Sequence, residues 1–136
     1  MPYLVKAAIS DPRAKTFAFG KARTMYGGKD IAVGDEVFVF ASENEGGVGL
    51  IARGTVTAVR AHAKPRNAER WTPRVRIAIK RTALSKRPLG RDQLKAWRNV
   101  KDGSPQAELD FKFYRQATNK IGGISEEAGR FLRRWF

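Results

Sequence analysis

The sequence predicts an α+β protein: about five or six mainly antiparallel strands in a curved sheet or small barrel, with short helices packed around it. Three observations carry that prediction. The runs Glu36–Ala41 and Val48–Ala61 are rich in β-formers and are separated by the turn "ENEGG", so they read as a hairpin. In "WTPRVRIAIKR", Trp71 to Arg81, Val75, Ile77 and Ile79 alternate with Arg74, Arg76, Ala78 and Lys80, which gives one strand an apolar face and a basic face. The end of the chain, "SEEAGRFLRRWF", spaces Ala128, Phe131, Leu132, Trp135 and Phe136 at i, i+3, i+4, i+7 and i+8, one helical stripe to lay against a sheet.

Taken in chain order, "YLVKAAI", Tyr3 to Ile9, is the first strand, and Asp11-Pro12 ends it as a turn signal. The segment "RAKTFAFGKARTMYGGKDIAV" mixes Phe17, Phe19 and Tyr26 with basic residues and glycines, and is expected to form a short helix and loops, with Phe17 and Phe19 in the core. Gly54 bends or bulges the second hairpin strand. "HAKPRNAER" is a basic loop and "TALSKRPLG" a connector punctuated by Pro88 and Gly90. Leu94 and Trp97, at i and i+3 in "RDQLKAWRNV", suit a short amphipathic helix, with Trp97 assigned to the core. "KDGSP" is a turn and "LDFKFYRQ" the last strand. In the terminal helix Ser125 is the N-cap, Glu126 and Glu127 lie at the positive end of the dipole, Arg133 and Arg134 lie at the negative end, and Trp135 enters the core.

Composition bounds the function. A chain of 136 residues suits one core, so residues 1–136 are expected to form a single domain. Lys and Arg number 27 against 13 Asp and Glu, a formal charge of +14 with a sequence pI near 10.8. That excess goes well beyond what solubility asks of a small domain and favours polyanionic partners, nucleic acid first. No run approaches the roughly 18 apolar residues of a spanning helix and no signal segment opens the chain, so no membrane is expected and cytoplasmic residence is the default. The absence of cysteine excludes disulfides and thiolate metal sites.

Catalytic chemistry is poorly supplied. His62, the single histidine, lies in a polar connection where a solvated role is expected, and a zinc site would need carboxylates for nearly every other ligand. The acidic residues come as neighbours, Asp35-Glu36 and Glu126-Glu127, or within "SENEGG", and do not converge on one point. "GGVGL" is followed by a β-rich run rather than a helix, so it is a hairpin turn and no phosphate loop. No enzyme, metal or cofactor is expected.

A strand ending in lysine ("YLVK", Lys6), the strand "VGDEVFVFAS" followed by "GVGLIARGTVTAV", a tryptophan leading "VRIAI", and the closing block "FYRQATNKIGGISEEAGRFL" together resemble the EVE domain of the PUA-like superfamily, to which YTH and ASCH domains are related. The likeness covers nearly the whole chain. It implies a PUA-like barrel with one pocket, in which an aromatic cage receives a single flipped-out base of RNA or DNA, a modified base such as 5-methylcytosine in the EVE case. Carried over by position, Lys6 matches the lysine ending the first strand, Trp71 the cage tryptophan, and Arg115 and Gln116 the "RQ" near the pocket, while Tyr26 supplies another wall. This chain has Leu4 and Ala7 where EVE domains carry tryptophan and serine, which removes one aromatic and one polar group of the pattern.

The residues point the same way without the family. A base stacked on an aromatic side chain gains ~1–3 kcal/mol, so Trp71 beside cationic groups makes a nucleotide seat. Arg74 and Arg76 flank it on the basic strand face, and Lys21, Arg23, Lys29, Lys64, Arg66, Arg70 and Lys80 make a phosphate track. The expected partner is therefore nucleic acid, single-stranded RNA or DNA or a flipped base in duplex DNA. The competing readings are a protein-interaction or ribosome-associated assembly module and, more remotely, an enzyme acting on nucleic acid. In the first of these the charge serves docking and the pocket is vestigial.

Overall fold

A computed structural model describes residues 1–67, 71–114 and 119–136. Six strands close into a barrel: β1 (Tyr3–Ala7), β2 (Thr16–Met25), β3 (Glu36–Ala41), β4 (Gly49–Ala61), β5 (Arg74–Leu84) and β6 (Lys120–Gly123). Their order around the barrel is β1-β3-β4-β5-β2-β6. The β1–β3 and β2–β6 contacts are parallel and the other four antiparallel. Among the described residues three α-helices accompany it, besides short 3-10 turns: α1 (Arg91–Leu94), α2 (Pro105–Leu109), which runs on as a π-helical stretch from Asp110 to Tyr114, and α3 (Glu126–Arg133).

Two apolar cores explain the burial pattern. Inside the barrel lie Val5, Phe17, Phe19, Val37, Val39, Val75, Ile77, Ile79 and Ile121. Between barrel and helices lie Leu4, Phe38, Phe40, Leu50, Leu94, Leu109, Phe113, Leu132 and Trp135. Strands β1 and β3 contribute to both, so they are buried on both faces and read as unbroken apolar runs. β2 and β5 alternate because no helix covers their outer face. Among the described residues the α-helices gather on one side of the barrel, against Leu4, Phe38, Phe40 and Leu50.

The hairpin β3–β4, the basic-faced strand β5 and helix α3 match the sequence expectations, and the Ser125 hydroxyl accepts from the Ala128 N–H at 3.1 Å as an N-cap. The ladder slips at Gly54 as expected; a Cβ there would meet Ile79 Cγ2 at 2.5 Å, so glycine lets the bulged strand close against its neighbour. Three assignments are corrected. The segment expected to hold a short helix is β2: its register shifts between Phe19 and Ala22, with Lys21 at φ 43°, and this bulge breaks the alternation that would have revealed a strand.

"LDFKFYRQ" is not a strand over its described part. Leu109 and Phe113 face the core at i, i+4 spacing, Phe111 is exposed, and Ser104 and Pro105 start the helix as N-cap and first residue. The closing strand lies further on, at Lys120–Gly123. Trp97 is half-buried rather than core: α1 lasts four residues before a 3-10 turn, so Leu94 alone of the pair reaches the interior.

Candidate nucleic-acid interface

One rung of the barrel aligns four cations. Arg74 pairs with Arg23, Arg23 with Lys120, and Lys120 with Lys6, on the successive strands β5, β2, β6 and β1. Directly paired residues share a face and neighbouring strands are ~4.8 Å apart, so these side chains form one outward-facing row. Arg74 and Arg23 are half-buried, whereas Lys120 and Lys6 are 1% and 2% exposed beneath the α2 helix. The row thus leads from solvent to interior.

Two buried lysines side by side need partners, and the helix supplies them. Lys6 Nζ donates to the Phe113 carbonyl at 2.7 Å and Lys120 Nζ to the Lys112 carbonyl at 2.8 Å. Carbonyls near a helix C-terminus lack intrahelical donors and carry the negative end of the dipole, so ammonium groups suit them. Aromatic faces add to this: Lys6 Nζ lies 4.3 Å from the Tyr114 ring centre and Lys120 Nζ 5.4 Å from that of Phe113. Burial still dominates and pulls the Lys120 ammonium down to about 7, helped by the charges of Lys6 and Arg23. It lowers Lys6 as well, with Arg91 adding to the effect and Glu43 opposing it.

Around Lys6 the structure assembles polar groups that the sequence did not suggest as a site. Tyr114 sets its ring edgewise on Phe40, and Ser42 is 1% exposed at the end of β3. Among the described residues the buried Ser42 hydroxyl has no hydrogen-bond partner, and the Tyr114 hydroxyl lies against the Glu43 carboxylate. Burial, followed by the nearby Glu43 carboxylate, pushes the Tyr114 phenol pKa up, so it stays a neutral donor. Glu43 itself is anchored by the Arg91 N–H at 2.8 Å, and Gly90 leaves room for that carboxylate: a Cβ at Gly90 would come 2.7 Å from Glu43 Oε1. An unpartnered buried hydroxyl such as that of Ser42 is costly, and a ligand can complete it. Their sequence signal was faint, since Ser42 and Tyr114 sit in runs that read as ordinary strand.

The remaining expected residues divide. Trp71 is half-buried three residues before β5, where the Pro73 carbonyl accepts from the Thr24 N–H and hydroxyl at 3.0 and 2.7 Å, so it stands beside the Arg74–Arg23 end of the row. Arg74 also closes the β2 bulge, donating to the Lys21 carbonyl at 2.9 Å. Tyr26 belongs elsewhere: its carbonyl accepts from the Gly123 N–H and its ring faces Lys112. That is three residues along β6 from Lys120, ~10 Å from the row.

Arg76 and Lys80 are exposed on the outer face of β5, Lys21 on the bulge, Lys29 on the turn packed against β6, and Lys64 and Arg66 on the loop before Trp71. Arg70, Arg115 and Gln116 lie outside the described residues. His62 is half-buried rather than solvated, because its N–H extends the ladder to the Arg74 carbonyl at 2.9 Å. Strands β2, β4 and β5 contain no Asp or Glu and carry eight Lys and Arg. No group of three potential ligands converges to hold a metal ion among the described residues.

No protein-family model matches the sequence, and no curated protein matches it. Solved structures do. The DUF55 domain of human thymocyte nuclear protein 1 superposes with a TM-score of 0.65 at 16% identity, covering 97% of this chain and 96% of that one. Human THYN1 protein in complex with 5-methylcytosine-containing DNA gives 0.63 at 15% identity, over 96% and 94%. Rpa0253 from Rhodopseudomonas palustris gives 0.63 at 18% identity, over 98% and 90%. The likeness establishes the fold, a small PUA-like barrel of mixed strands with a few short helices.

Proposed function

We propose that this chain is a nucleic-acid-binding module of the EVE type, which receives a single modified base at the buried end of the cationic row. The observation that carries the reading is the row itself: Arg74 and Arg23 near solvent hold phosphate, and it ends beside the unpartnered Ser42 hydroxyl and the neutral Tyr114 phenol. Those hydroxyls address the edge of an extruded base. Trp71, at the solvent end of the row, supplies a stacking face for a flanking nucleotide, Lys6 fixes Tyr114 and the helix end, and Arg115 and Gln116 follow Tyr114 directly in the chain. A similar fold solved with 5-methylcytosine-containing DNA supports a methylated cytosine as the first base to try. Extruding a base costs a few kcal/mol, which stacking and phosphate contacts offset.

Fluorescence anisotropy tests this with RNA and DNA oligonucleotides, single-stranded and duplex, carrying one central cytosine, 5-methylcytosine, adenine or N6-methyladenine. Preference for one modified base of at least ~tenfold, erased by Tyr114→Phe, with affinity for every oligonucleotide lowered by Trp71→Ala, is the expected result. Binding that ignores the modification, survives both substitutions and disappears with salt would leave a basic surface and no reader.

A second reading, an assembly module, is favoured by one observation. Trp97, Val100 and Phe111 line a groove of about 770 Å³, with Phe111 53% exposed. Loss of ribosome co-sedimentation on Phe111→Ser, with oligonucleotide binding intact, would support it.

A further inference from the structure

Among the described residues, the outer face of β2, β5 and the second half of β4 is the side of the barrel that no α-helix covers. Its rows are in register: Thr16, Lys80 and Thr55; then Ala18, Ala78 and Ala58; then Arg76 and Arg60. The alanines and the two arginines border a shallow depression of about 250 Å³. Among the described residues no carboxylate pairs with Arg60, Arg76, Lys80 or Lys86. Beyond the end of β5, Lys86 and Arg87 join Arg13 around a second hollow of about 450 Å³.

From Arg74 to Leu84 the strand spans ~33 Å, about one turn of duplex DNA. Among the described residues no aromatic side chain of β2, β4 or β5 faces outward, since Phe17 and Phe19 point into the barrel, and Trp71 lies beyond the start of β5. A single strand needs aromatic platforms for its unstacked bases, whereas a duplex stacks its own and offers only phosphates.

We propose that this face seats the backbone of a nucleic-acid duplex about ten base pairs long, running along β5 from the Arg74 end to Lys86. The assignment rests on the nucleic-acid reading above but not on base recognition. The partner at this face is then a duplex rather than a free single strand. Small flat residues let the backbone approach closely, and the arginines and lysines release its counterions.

Anisotropy with unmodified DNA separates this from the pocket. The probes are hairpins with stems of about six and about fourteen base pairs and a single strand matching the longer stem, at about 0.1 M salt. The longer stem should bind at least ~tenfold more tightly than the shorter stem or the single strand. Lys80→Glu with Lys86→Glu should remove that advantage, and the milder Lys80→Gln with Lys86→Gln should lower it in the same direction. Lys95→Glu with Arg98→Glu makes the same charge change on the helical side and should cost less than ~threefold.

Equal affinity for all probes, tighter binding of the single strand, or equal losses in the two glutamate pairs would overturn the duplex seat. Base discrimination is read separately with modified oligonucleotides, so the failure of one leaves the other standing.

Discussion

Lys6 and Lys120 are register partners across the β1–β6 ladder, and both ammonium groups donate to carbonyls of the same helical turn, at 2.7 and 2.8 Å. Two cations at neighbouring positions under one helix end tie the electrostatics of the candidate site to the stability of the fold.

Stability should rise with pH above neutrality. Lys120 titrates near 7 in the folded chain against an ordinary value of 10.5, so the unfolded chain holds more protons between those values and stability increases across that window. Thermal midpoints measured at about pH 7 and about pH 9.5 should show the increase in the wild type, and Lys120→Met should flatten it. An unchanged rise in Lys120→Met would place the titration elsewhere.

Polyanion affinity should move the other way. Deprotonation of Lys120 removes a charge from the row, so an oligonucleotide bound there should loosen as pH passes upward through about 7, beyond what Lys120→Met shows. Isothermal titration at fixed ionic strength reads this directly, and parallel pH profiles for the two proteins would contradict it.

Glu36 should matter to stability and not to binding. Burial raises its pKa, but hydrogen bonds from Arg133 and the charges of Arg53 and Arg133 outweigh that and hold the carboxyl below its usual range. Arg53 Nε donates to it at 2.6 Å and Arg133 Nη2 at 2.5 Å, clamping α3 to β3 and β4. Glu36→Gln should cost about 1–3 kcal/mol at neutral pH in urea unfolding. The contribution is complete above the ordinary carboxylate value of 4.5 and fades as pH falls through the lower folded value, so the deficit should shrink in acid.

Two glycines make a paired test of the barrel. A Cβ on Gly54 would strike Ile79 and the Lys80 carbonyl, whereas one on Gly20 meets nothing within 4 Å. Gly54→Ala should lose about 1–3 kcal/mol and Gly20→Ala should change stability by less than about 0.5 kcal/mol. Similar urea midpoints for the two variants would contradict the close approach at Gly54.

Trp71→Ala should weaken nucleic-acid binding by ~1–3 kcal/mol without moving the melting temperature, as expected of a half-buried stacking face outside both cores. A large loss of stability with unchanged affinity would make it a rim residue.

The sequence by itself determined the parts whose signals are local: the β3–β4 hairpin, the two-faced strand β5, the bulge at Gly54 and the capped stripe of α3. Each rests on alternation, helical spacing or a cap within a few residues, and so did the charge that pointed to a polyanion. Only tertiary structure decided the rest. β2 hid behind its bulge at Lys21, and "LDFKFY" satisfies both β alternation and the i, i+4 spacing of Leu109 and Phe113, so packing chose the helix. "KIGG" has too little β-forming bulk to announce itself and is a strand because β1 and β2 flank it. The cationic row and the pairing of Tyr114 with Lys6 depend on closing the barrel between residues more than a hundred positions apart. No periodicity in the chain encodes that contact; it exists because β6 completes the ring and the helix end comes down over it.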